Sequence, residues 1–373
     1  MYPSRRSAAI SLVLAALMLA SCTGGDQPTT RTRATTTPGA NSPKPTASPQ
    51  PTAFVCPPGS APGRTGPAKQ ARPDAPQSYL SVAMDADTGK IVALETTENM
   101  TRTWTLDVCT NTWRMMRPPS EPALTGVRIP FVYDADSHLI VAISDQHVWT
   151  YSVEGNQWTP RPGSVGLVPS SLGQVTYDPS SGNVIARDPE SGDLWSYNVE
   201  ANRWTRFGTP GPINGDGYAD LMTYDTAQRR LVLVLLPYHS WTFQPTSGLW
   251  SEQAAPPQLN TGWGPSGGEL TYDQSAQRTV LFSFGVLATY DATKDRWANV
   301  PLPGSLLNPL TKTGALARLG HTMVYDSVNE RIVILGTTVL TSAENRYTEP
   351  QGDDVWAYKV ASNTWTELVP SRQ

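Results

Sequence analysis

Tryptophan recurs along this chain at a nearly fixed interval, and that interval limits the fold more than any other feature. Trp113, Trp158, Trp204, Trp250, Trp297 and Trp365 are separated by 45, 46, 46, 47 and 68 residues. Seven positions before each stands Leu106, Tyr151, Tyr197, Phe243, Tyr290 or Tyr358, and nine before stands Trp104, Trp149, Trp195, Trp241, Ala288 or Trp356. Two repeated positions thus hold eleven of the twelve tryptophans and leave only Trp263 outside. Upstream, each unit carries an aspartate after an apolar or aromatic residue: Met84-Asp85, Tyr133-Asp134, Tyr177-Asp178, Tyr224-Asp225, Tyr272-Asp273 and Tyr325-Asp326. A period of this length marks a unit that buries its apolar face only against its neighbours.

Each unit contains four short strand-like runs, A to D. The fourth unit reads Leu221-Met222-Thr223-Tyr224, Leu231-Val232-Leu233-Val234-Leu235, Ser240-Trp241-Thr242-Phe243 and Leu249-Trp250-Ser251. Run C alternates in polarity, whereas run B is continuously apolar and so buried on both faces. Two residues before each run-D tryptophan comes Asn111, Asn156, Asn202, Gly248, Asp295 or Asn363, all types that tolerate the left-handed backbone of a tight turn. The aspartate closing run A suits a turn whose backbone amides it accepts, which is its expected role rather than metal binding or acid catalysis. Six such units predict an all-β chain, a six-bladed β-propeller of four-stranded antiparallel blades over residues 79–373.

The units resemble kelch repeats, most clearly in Arg318-Leu319-Gly320-His321-Thr322-Met323-Val324-Tyr325-Asp326, Arg331-Ile332-Val333-Ile334-Leu335-Gly336, Val355-Trp356-Ala357-Tyr358 and Asn363-Thr364-Trp365. The glycine pair that closes strand B in such repeats is reduced here to Gly285 and Gly336. Some propellers with kelch-like blades, galactose oxidase among them, are copper oxidases. That chemistry needs a cysteine cross-linked to a tyrosine, and neither Cys56 nor Cys109 is placed for it, so no cofactor is expected.

Ahead of the repeats the composition changes. Arg5 and Arg6 precede the apolar residues 8–20, which read as a signal peptide and are too short for a permanent membrane span. The stretch ends Leu19-Ala20-Ser21-Cys22, which resembles the lipobox of bacterial lipoproteins. That resemblance implies cleavage after residue 21, a diacylglyceryl group on Cys22 and an anchor on the extracytoplasmic face of the cell membrane. Residues 22–78 are rich in Thr, Pro, Ala and Ser and read as a disordered tether. Cys56 and Cys109 then form the one available pair in an oxidising compartment, and a disulfide between them is expected.

Charge removes one class of partner. Eight of the 28 basic residues but only two of the 32 acidic ones precede Tyr79, leaving 20 against 30 in the repeat region. An acidic globular part lacks the Lys and Arg surplus with which proteins neutralise phosphates, so nucleic acid is not an expected partner. In an up-and-down blade the A–B and C–D turns lie at one rim, and the B–C and D–A connections at the other. The turns are nearly constant in length while the connections vary, so binding is expected at the long-loop rim. Candidate ligand contacts there are Trp263, His321, Asp216, Asp220 and Glu269. The leading expectation is a membrane-anchored binding module for cell-envelope carbohydrate or a surface protein. The alternative is a polysaccharide hydrolase or lyase acting through those carboxylates.

Overall fold

The computed structural model describes residues 54–73, 79–124, 128–144, 147–166, 169, 172–213, 220–236, 239–257, 268–283, 286–303, 321–335 and 353–371. Cys22, Asp216 and Trp263 lie outside these residues.

Valine, isoleucine, threonine and aromatic runs, each bounded by turn-forming residues, become 24 strands in six antiparallel sheets of four. Every sheet is made from four strands consecutive in the chain and paired in that order. In blade 4 these are Asp220–Asp225 (β13), Arg230–Leu235 (β14), His239–Gln244 (β15) and Leu249–Gln253 (β16). The innermost strands are Tyr79–Asp85 (β1), Phe131–Asp134 (β5), Val175–Asp178 (β9), β13, Gly268–Asp273 (β17) and Thr322–Asp326 (β21). Each touches the next, and β1 meets β21, so the six blades close into a ring. In five of the six blades the second strand is the most buried one, as in Arg331–Leu335 (β22), where all five residues are buried.

Six apolar clusters form the core, one in each seam between neighbouring blades. The repeated aromatics stack across strands C and D: Tyr151–Trp158, Tyr197–Trp204, Phe243–Trp250, Tyr290–Trp297 and Tyr358–Trp365 have ring centroids 4.8–5.1 Å apart. Such contacts contribute about 0.5–1.5 kcal/mol each beyond the area they bury. Several indoles also reach backwards. Trp158 Nε1 donates to Thr103 Oγ1 at 2.8 Å, and Trp297 Nε1 donates to the Ala254 carbonyl at 3.0 Å, in each case in the preceding blade.

The turns follow the residue types. Asn111, Asn156, Asn202, Gly248, Asp295 and Asn363 all have positive φ, between 45° and 68°. In four blades the run-C tyrosine donates to this residue's side chain: Tyr151 to Asn156, Tyr197 to Asn202, Tyr290 to Asp295 and Tyr358 to Asn363. Blades 1 and 4 lack that tyrosine and carry Leu106 and Phe243. Asn202→Gly should therefore lose the 2.7 Å bond from Tyr197 and the 3.1 Å bond from Asn202 Nδ2 to the Pro162 carbonyl, about 1–2 kcal/mol together. Asn202→Ala should lose about 1–2 kcal/mol more, because alanine resists the left-handed region. Urea unfolding of the two variants separates these contributions.

All six run-A aspartates accept backbone amides of their A–B turn, as when Asp326 Oδ1 takes Val328 N at 3.1 Å and Asn329 N at 3.2 Å. The A–B turns hold a second left-handed position at Gly89, His138, Gly182, Arg229, Gln277 and Glu330. Three of these, Arg229, Gln277 and Glu330, are residue types with no preference for it, so composition did not mark the position.

Residues 54–73, which composition assigns to the tether, pack along the outside of the seam between blades 6 and 1. Cys56 and Cys109 are disulfide-bonded, with Cα atoms 5.4 Å apart. Phe54 lies against Gly89, where an added Cβ would stand 2.2 Å from its ring. Further along, Gly66 N donates to the Leu368 carbonyl and Asn111 Nδ2 donates to the Pro62 and Arg64 carbonyls. Arg72, buried, donates to the carbonyls of Asp353 and Pro370, and its Nε stands 3.4 Å from the Asp353 carboxylate. A low apolar content does not forbid order when a covalent link and buried backbone bonds replace the missing core.

Candidate functional site

The six innermost strands enclose a central channel of about 660 Å³. They start at the long-loop rim and end at the short-turn rim, so the residues lining each mouth follow from strand direction. Ser81, Arg128, Leu172, Glu269 and Thr322 stand at the first mouth, and Tyr133, Tyr177, Tyr224, Tyr272 and Tyr325 line the channel towards the second.

Arg128 dominates the long-loop mouth. It precedes β5 of blade 2, yet its Nη1 pairs with Glu269 of blade 5. Its Nε donates to the Leu80 carbonyl of blade 1 at 3.2 Å, and its Nη2 donates to the His321 carbonyl of blade 6 at 2.7 Å. One guanidinium therefore ties four blades together across the opening. Burial pushes the Glu269 carboxyl above its ordinary value, with Arg128 opposing. Arg128 was not among the expected site residues. Its one signal is a lone charge inside Gly126-Val127-Arg128-Ile129-Pro130.

Of the expected site residues, the three that are described, Asp220, Glu269 and His321, do not bring their side chains together. Asp220 is paired with Arg187, and both side chains are at most 7% exposed. Burial raises the Asp220 carboxyl against the pull of Arg187. Asp220 does not line the channel, so the two described carboxylates of the three expected from sequence are held by different arginines. His321 is fully buried instead of facing the opening. Its Nε2 stands 3.0 Å from the Phe282 carbonyl and its ring packs 4.3 Å from that of Phe282. The tight aromatic seam between blades 5 and 6 takes the imidazole in. His138 pairs with Asp87 on the short-turn rim, and His239 Nδ1 stands 3.1 Å from Glu252 on the other side of the ring. Among the described residues no group of three or more His, Cys, Asp or Glu side chains is arranged to hold a metal ion.

At the short-turn end the channel tyrosines reach towards the preceding blade. Tyr133 donates to Asp87 and Tyr224 Oη lies 2.9 Å from Ser180 Oγ, while Ser275 N donates to Tyr325 Oη at 3.2 Å. Tyr177 and Tyr272 face Asp136 and Asp225. Burial, then the neighbouring carboxylates, push these phenols upward, that of Tyr224 to about 12. They stay protonated near neutrality and act as fixed hydroxyl groups.

No protein-family model matches the chain, and no curated protein matches it. Among solved structures that resemble it is one described as "Crystal structure of Nidogen/Laminin Complex". The two are 12% identical, with a TM-score of 0.48 over 79% of this chain and 94% of that one. A likeness at this level carries nothing about ligands. The sheets, their order and the ring contacts establish the chain as a six-bladed β-propeller.

Proposed function

We propose that this chain is an anchored binding module, held to the membrane through Cys22 and presenting its long-loop rim to cell-envelope glycan. The supporting observation is the division of labour between the rims. Strand ends that receive the longer, uneven connections share one rim, while Cys56 and Phe54 hold the N-terminal segment at the other, on turns of blade 1. A chain arriving from an anchor would meet the propeller on the side away from its variable loops. Kelch-like repeats and the lipobox at Cys22 belong to the same reading.

Binding is favoured over hydrolysis by the state of the carboxylates. Glycoside hydrolysis needs two carboxyl groups flanking one bond, about 5–10 Å apart. Among the described residues, Glu269 and Asp220 are each engaged by an arginine, and of these two only Glu269 lines the channel. The test uses the secreted chain with Cys22→Ser, screened on an array of bacterial envelope glycans and assayed for product by mass spectrometry. Capture without turnover supports the module. Turnover abolished by Glu269→Gln would replace it with an enzyme, and capture of a surface protein alone would replace the glycan.

A further inference from the structure

Five of the six seams share a contact that the sixth lacks. At the end of the innermost strand, Tyr133, Tyr177, Tyr224, Tyr272 and Tyr325 each reach to the A–B turn of the preceding blade. The equivalent residue of blade 1 is Met84, which faces blade 6 within the apolar cluster of that seam and has no hydroxyl to offer. This is also the seam at which the chain must close the ring without a shared strand, since every sheet is built from consecutive strands.

We propose that residues 54–73 are the latch that closes the propeller, replacing at the blade 6–blade 1 seam the tyrosine contact that Met84 cannot make. The segment bonds both blades along the height of the seam. On blade 1 it holds Cys109 covalently, Phe54 covers Gly89, and Gln70 Oε1 accepts Trp113 N at 2.7 Å. On blade 6 Thr65 Oγ1 donates to the Glu367 carbonyl at 3.0 Å, Gly66 N to the Leu368 carbonyl at 2.6 Å, and Arg72 reaches Asp353 and Pro370. Phe54 and Cys56 pack into the same cluster as Met84 and Val328. These contacts join residues up to 302 positions apart, so they close the ring from outside rather than extend a sheet.

Amide hydrogen exchange on the folded full chain tests this, with and without a phosphine reductant that opens the disulfide. Reduction is expected to speed exchange at least ~30-fold in β1, β21 and the outer strand Thr364–Val369 (β24), and to leave β9, β13 and β17 unchanged. Arg72→Ala with the disulfide intact should act at the same strands by about tenfold. Tyr224→Phe should instead loosen β9 and β13 alone, at the seam its hydroxyl bridges. Acceleration spread evenly over all six blades, or no change on reduction and none in Arg72→Ala, would overturn the assignment.

Discussion

Arg187→Ala is expected to destabilise the protein by about 3–5 kcal/mol, because it strands a buried carboxylate. Arg187 ends the second strand of blade 3 and pairs with Asp220 at the start of blade 4, both shielded from water. Its other terminal nitrogen donates to the Pro212 carbonyl, so the guanidinium also holds the connection between the two blades. Removing it leaves burial of Asp220 unopposed, and the Asp220 carboxyl then rises further above its ordinary value. In the variant the native state binds a proton that the unfolded chain has lost. The penalty therefore grows with pH above the unfolded carboxyl value of about 3.9 and shrinks as the pH falls towards it. Urea unfolding at pH 7 and pH 5 should show a smaller loss at the lower pH, and Arg187→Met with Asp220→Leu should recover most of it. An equal loss at both pH values would refute the stranded charge.

Arg331→Ala is expected to be of similar size, about 3–5 kcal/mol, for a different reason. The first residue of strand B is Lys90, Leu139, Asn183, Arg230, Arg278 or Arg331, and Arg331 is only 6% exposed. The N-terminal segment covers it. Its Nε donates to Asp326, Nη1 to the Pro62 carbonyl at 2.6 Å, and Nη2 to the Val108 carbonyl at 3.0 Å and Asn111 Oδ1 at 3.2 Å. The alanine variant leaves Asp326 buried without its cation and Asn111 Oδ1 without the Arg331 donor, while the Pro62 and Val108 carbonyls keep Asn111 Nδ2 and Asn329 Nδ2. Lysine keeps the charge but not the planar fork, and should recover less than half of the loss. Arg278→Ala, at the same strand position with a 30% exposed side chain, should cost below about 1 kcal/mol. Denaturant midpoints of the three variants decide the point, and equal losses at Arg278 and Arg331 would remove the segment's role in burying the arginine.

Much of the fold was legible because repetition multiplies weak signals. A single Asn before a tryptophan says little, whereas Asn111, Asn156, Asn202 and Asn363 at one recurring place specify a left-handed turn. The aspartates closing run A were legible for the same reason, and the disulfide followed from having two cysteines left to pair. What escaped were single features with no repeated counterpart and no pairing rule to mark them. Arg128 is one charge in one connection, and its partners come from three other blades. Residues 54–73 read as spacer because their order rests on Arg72, Gly66 and Thr65 meeting blade 6 nearly 300 positions later, as in the 281 residues between Arg72 and Asp353. The left-handed Arg229, Gln277 and Glu330 are forced by the geometry of the blade, which overrides side-chain preference. His321 looked available because it begins an innermost strand, but local position does not report which way a seam will fold over a ring.

The proposed function puts the binding surface on the rim opposite the disulfide. The most direct measurement is capture of purified bacterial cell-wall polysaccharide by the Cys22→Ser chain, altered on one rim at a time. Trp263→Ala, in the connection between β16 and β17, should weaken capture by about tenfold or more. Glu154→Lys and Lys294→Glu, on exposed C–D turns, should leave it unchanged. Capture lost only in the Glu154 and Lys294 variants, or absent from the chain with both rims intact, would contradict the account.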